Sequence, residues 1–160
     1  MSKYVARPSW LVGLSMGVLL ALGASTPVRA ADDAQVIILT QTGCQFLESE
    51  SGKDLGFKPS SAEECKKINA RSGSKRLADA KPLVLAPGKY TFRVTNSDVP
   101  YELGFWLRGS GLGRVTLPSV SGGGLTRGVS RDYVIELKPG NYVYSCPLNP
   151  TPDYALVVKG

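Results

Sequence analysis

Apolar and polar positions alternate with a period of two through much of the C-terminal half of the chain, the pattern of strands with one buried face. Over residues 89–96, Tyr90, Phe92 and Val94 share one face while Lys89, Thr91 and Arg93 share the other. Over 132–137, Tyr133, Ile135 and Leu137 form the inward set. Residues 34–40 (AQVIILT) are a short apolar, β-branched run, the profile of a buried strand. Further strands are predicted at 83–86, 101–107, 114–117, 141–146 and 154–159. Pro87-Gly88 and Pro139-Gly140 mark turns, proline setting φ and glycine free to take positive values. Loops are predicted at 109–113 and, as a flexible segment around Gly122-Gly123-Gly124, at 119–128. About eight short strands separated by turn signals predict an antiparallel sandwich.

Residues 48–81 break this rhythm. They are polar and rich in Gly, Ser and Pro, with too few apolar positions for a core of their own, and read as an insertion between two strands. Within them Ser61 and Glu64 have the spacing of a capping box, which predicts a short helix over 62–70 carrying Cys65 and Ile68 on one face. A local echo ties two strands together. Leu85-x-Pro87-Gly88-x-Tyr90-x-Phe92 matches Leu137-x-Pro139-Gly140-x-Tyr142-x-Tyr144, and the register sets Cys146 where the first copy has Val94. Two copies are too few for a repeat protein. One turn-into-strand device used twice in a Greek-key sandwich accounts for them.

Residues 1–30 have a different character. Lys3 and Arg7 precede a short apolar stretch, and Val28-Arg29-Ala30 places small residues where a cleavage site requires them. This is the pattern of a secretory signal peptide, which predicts a periplasmic or secreted domain over 31–160 without stable membrane insertion. Charge must then be recounted. The chain has 19 basic and 13 acidic residues and a net charge of +6. Residues 1–30 hold Lys3, Arg7 and Arg29 and no acid, so the remainder is only mildly basic. That excess does not predict a nucleic-acid partner. The cluster Lys66, Lys67, Arg71, Lys75 and Arg76 reads as a solvated face.

Chemistry-bearing residues are few. The chain has no histidine, and both methionines, Met1 and Met16, lie in the leader. These counts exclude a Ser-His-Asp or Cys-His nucleophile and any histidine-based metal site within the chain itself. Gly109-x-Gly111-x-Gly113 opens no helix suited to a dinucleotide, and Glu48, Glu50, Glu63 and Glu64 show no acid–base pairing. The three cysteines are Cys44, Cys65 and Cys146. In an oxidising compartment they predict one disulfide and one thiol. A staple between Cys44, after the first strand, and Cys65, on the insertion helix, is preferred over the rivals Cys44–Cys146 and Cys65–Cys146. Such a staple is worth about 3 kcal/mol in the chain-entropy model. The segment 147–153, with prolines at 147, 150 and 152, predicts a stiff loop with Trp106 nearby.

Two stretches carry a family resemblance. One is 87–96 with the following Val99-Pro100-Tyr101; the other is 139–147 with the closing strand 155–160. Together they resemble the cupredoxins, the small blue copper proteins, with a C-terminal loop similar to the amicyanin and plastocyanin type. The resemblance implies an all-β, cupredoxin-like Greek-key sandwich, here with a short helical insertion. It also implies a copper held by two His, a Cys and a Met. Carried over by position, the first His falls on Tyr101, the Cys on Cys146, the second His on Asn149 and the Met on Pro152. One ligand of the set survives, which argues against a type 1 copper site.

These readings converge on an exported, non-enzymatic, cofactor-free binding or accessory module with a protein or small-ligand partner. The alternative is a periplasmic copper-binding or electron-transfer protein with an unconventional site around Cys146, in a remnant pocket with Tyr101 and Asn149.

Overall fold

A computed structural model describes residues 34–160. The leader and its cleavage after Ala30 lie outside the described residues. Among the described residues, nine strands form two sheets. The first sheet holds β1 (Gln35–Thr42), β2 (Gln45–Phe46), β4 (Gly88–Asn96) and β7 (Ser130–Leu137), in the order β2-β1-β4-β7. The second holds β3 (Leu83–Leu85), β5 (Leu103–Gly109), β6 (Val120–Leu125), β8 (Gly140–Ser145) and β9 (Tyr154–Val158), in the order β3-β9-β8-β5-β6. Helix α1 (Ala62–Asp79) lies in the insertion, and α2 (Gly113–Thr116) is a single turn. The architecture is an all-β sandwich with a helical insertion.

The period-two faces pack as the pattern demands. Tyr90, Phe92 and Val94 of β4 are buried, as are Tyr133, Ile135 and Leu137 of β7, which pair with β4 in antiparallel register. Their rings join Phe46, Phe105, Tyr144 and Tyr154 between the sheets. Phe105 sits at the centre, 5.7 Å from Phe92, 5.0 Å from Tyr133 and 6.1 Å from Phe46, centroid to centroid. Such ring pairs contribute roughly 0.5–1.5 kcal/mol each beyond area burial. The echoed turns share one hydrogen bond. The Tyr90 hydroxyl donates to Ala86 O at 3.0 Å, and that of Tyr142 to Lys138 O at 2.9 Å, each reaching back four residues across its Pro-Gly turn. Gly88 and Gly140 take φ of +147° and +153°, which favours glycine at both positions.

Five expectations need correction. The sandwich is not wholly antiparallel: β1 pairs with β4, and β3 with β9, in parallel. Parallel neighbours need a long crossover, and the insertion supplies one between β1 and β4. The helix runs through Ser72-Gly73-Ser74 to Asp79, twice the predicted length. Tertiary contacts extend it, because Arg76 is buried beyond the glycine and Gly73 packs toward Pro152. The capping box is displaced by one residue: Ser61 makes no side-chain cap, and Glu64 Oε2 accepts from Ser60 N at 2.6 Å. Residues 114–117 are mostly the helical turn α2 rather than a strand, and 119–128 contain strand β6 rather than a flexible loop. The glycines of β6 answer crowding, since a Cβ at Gly122 would lie 2.9 Å from the Tyr133 ring.

Candidate functional site

The positions implied as copper ligands converge at one end of the sandwich. Pro100 leads Tyr101 towards β5, and the turn after β8 delivers Cys146, Asn149 and Pro152. The tight turn between β1 and β2 brings Cys44, whose φ of +61° is unusual for a residue with a Cβ. Gly43 precedes it because the carbonyl of Phe57 crosses there, 2.2 Å from where a Cβ would stand. Cys44 and Cys65 form a disulfide with Cα atoms 5.1 Å apart, leaving Cys146 as the free, buried thiol.

Asn149 is fully buried, and its side-chain amide is committed at both ends. Oδ1 accepts from Cys44 N at 3.1 Å and from the Tyr101 hydroxyl at 3.1 Å, and lies 2.9 Å from the Cys65 sulfur. Nδ2 donates to Thr42 O at 2.9 Å. Pro152 is buried beneath α1 at Gly73, while Asn69 of the same helix donates to Pro150 O at 2.5 Å. Three of the four positions that the resemblance implies as ligands, Tyr101, Asn149 and Pro152, therefore brace the disulfide, the β1–β2 turn and the insertion helix. Cys146 keeps a different environment. Its sulfur accepts from Gly104 N at 3.3 Å and Asn149 N at 3.2 Å. Burial pushes its thiol above the ordinary 9.0, and those backbone donors oppose the shift without cancelling it. Burial, assisted by the nearby Cys146 and Glu64, pushes the Tyr101 phenol up to about 12.

A thiol, a phenol and a fully engaged amide do not fit type 1 copper, which takes a thiolate and two imidazoles. The implied ion has no matching donor set here. Among the described residues no group of three or more Cys, Asp or Glu side chains converges as a metal cage.

The sequence reading missed a second polar centre. Arg76 and Glu50, both nearly buried, pair at 2.6 Å, and Arg76 also donates to Cys44 O at 2.9 Å and Asn69 Oδ1 at 2.6 Å. Tyr154 donates its hydroxyl to the same Glu50 oxygen, and burial with that acceptor raises its phenol well above the ordinary 10.0. Helical spacing held the only signal: Cys65, Asn69 and Arg76 share the face turned to the sandwich. Next to Tyr154 in the chain, Asp153 is held by Arg108 of β5 through two bonds of 2.8 Å, and the Arg108 guanidinium lies 4.0 Å from the Trp106 ring centre. Trp106, Pro147 and Leu148 line a groove of about 400 Å³, so the tryptophan does flank the proline-rich loop.

No protein-family model matches the chain, and no curated protein matches it. Among solved structures it is similar to auracyanin B, at 11% identity and a TM-score of 0.49, over 79% of this chain and 90% of that one. It is also similar to Lac15 from a marine microbial metagenome, at 16% identity and a TM-score of 0.38, over 98% of this chain but only 32% of the other. Among the described residues no helix is long and apolar enough to cross a membrane.

Proposed function

We propose that the protein is an exported, non-enzymatic, cupredoxin-like binding or accessory module whose ancestral metal end now serves as a structural brace. The observation that carries this reading is Asn149. Its amide belongs to the position at which the sequence resemblance implies the second imidazole, and both its ends are engaged in holding Cys44, Thr42 and Tyr101. A buried amide with satisfied bonds is costly to redirect to a metal. The leader pattern and the buried disulfide support export. The absence of histidine from the sequence supports a non-enzymatic role.

A second reading, a soft-metal or redox site at Cys146, is favoured by the two backbone amides aimed at its sulfur. One experiment separates them. Metal analysis of protein recovered from the exported fraction, followed by Cu(II) titration, should give no intense absorption in the blue region. A stable blue colour at one copper per chain overturns the first reading, and tight stoichiometric Cu(I) uptake lost in Cys146→Ala establishes the second.

A further inference from the structure

We propose that two adjoining hollows on either side of the segment 57–59 form a docking surface for an extended, acidic peptide segment of a partner, anchored by apolar side chains. This rests on the binding-module reading above and names the class of partner.

The basic cluster of the insertion is not one solvated face. Arg76 leaves it for the buried pair with Glu50, and Lys66 pairs with Glu63 at 2.5 Å. Lys67, Arg71 and Lys75 remain, and the first two lie on the helix face that also carries Glu64 and Ile68. That face lines a hollow of about 410 Å³ against Phe57 and Pro59. Across the segment 57–59 lies a second hollow of about 490 Å³, with Val99 and Pro100 in its wall and Asp98 and Arg127 at its edge. Lys58 belongs to both hollows.

Charge selects the occupant. The two hollows hold four cations and two carboxylates, and both carboxylates are engaged. Asp98 is bridged by Lys58 at 2.5 Å, and Glu64 accepts from Ser60 N. Lys67, Arg71 and Arg127 are exposed and make no ion pair among the described residues. Their complement is anionic. The cations stand on separate rims rather than converging on one point, which suits several carboxylates along a chain better than a single small anion.

Shape narrows the choice further. Pro59 and Pro100 have fixed φ, and Phe57 is backed by the Arg76 guanidinium 5.3 Å from its ring. The apolar walls are therefore preorganised, which lowers the ordering cost of binding. Two hollows divided by a ridge match an extended strand, whose successive side chains point to opposite sides. A single aromatic ring offers no stacking platform for successive bases, so the surface favours a peptide over a nucleic acid.

Fluorescence polarisation on the purified protein tests this. The probes are short labelled peptides alternating Glu or Asp with Phe, Leu and Pro, matched sets with Gln or Lys at the acidic positions, and an oligo-dT strand. The acidic set should bind most tightly, most strongly at low salt. The double variant Arg71→Glu/Arg127→Glu should weaken that binding roughly tenfold or more, while Lys138→Glu, outside both hollows and just after β7, leaves it unchanged. Unfolding midpoints of both variants should match the parent, and amide shifts on peptide addition should centre on Lys67, Arg71, Val99 and Arg127. Equal binding of the acidic and Lys sets, no binding of any peptide, preference for the oligonucleotide, or an unaffected double variant overturns the proposal. The copper titration bears on the module reading alone, so the two can fail separately.

Discussion

The sandwich and the insertion are held by different kinds of interaction. Between the sheets, stability comes from apolar area and ring packing, spread over many residues around Phe105. On α1 only Cys65, Gly73 and Arg76 are buried. The insertion is fastened instead at discrete points: one disulfide, one buried ion pair, and the contacts of Asn69 and Gly73 with the proline-rich loop. Apolar packing loses stability in proportion to the volume removed, whereas a buried charge fails abruptly when its partner is taken away. A polar segment without its own core can thus be ordered by a few directional contacts largely shielded from water.

The largest effect should follow from emptying the sandwich. Phe105→Ala removes the ring at the centre of the cluster and should cost about 5 kcal/mol, felt by both sheets together. Urea unfolding followed by hydrogen exchange checks it, and loss of protection confined to β5 would contradict a shared core. Breaking the ion pair comes next. Arg76→Leu leaves Glu50 buried without its cation and should cost about 4 kcal/mol, much of it recovered by adding Glu50→Leu. A double-mutant cycle measures that recovery, and additive losses would show that the pair is no unit. Replacing both Cys44 and Cys65 with Ala should cost about 3 kcal/mol. Amide protection in α1 should fall first, with β4 and β7 keeping theirs; uniform loss would place the helix within the cooperative core.

A smaller effect lies in alkali. The Cys146 thiol is raised above 9.0, and the Tyr101 and Tyr144 phenols are each raised to about 12, in every case chiefly by burial. Groups with folded values above their unfolded ones hold more protons folded than unfolded. Their contribution is complete below about pH 9 and declines as the pH rises towards 12. The unfolding midpoint should therefore fall steadily over that interval. Cys146→Ala should remove the earliest part of the decline, and a flat profile would contradict the shielding of these groups.

The candidate site was only half legible from sequence. Tyr101, Cys146, Asn149 and Pro152 were identifiable by position, and all four meet at one end of the sandwich. What Asn149 and Pro152 do there was not legible, because their partners Cys44, Thr42 and Gly73 are distant along the chain. Glu50 and Arg76 carried even less signal, since a charged residue in a polar stretch reads as solvated until a neighbour excludes the water.

Local pattern determined the strands of β4, β7 and β8, their inward residues and the two Pro-Gly turns, because side-chain alternation and turn chemistry are properties of adjacent residues. Tertiary structure alone decided that β1 lies parallel to β4, that α1 runs through Gly73, and that Gly122–Gly124 form a strand edge. Each of those outcomes depends on contact with residues remote in the chain: the crossover through the insertion, the buried salt bridge of Arg76 with Glu50, and the ring of Tyr133 that leaves room for no side chain at Gly122.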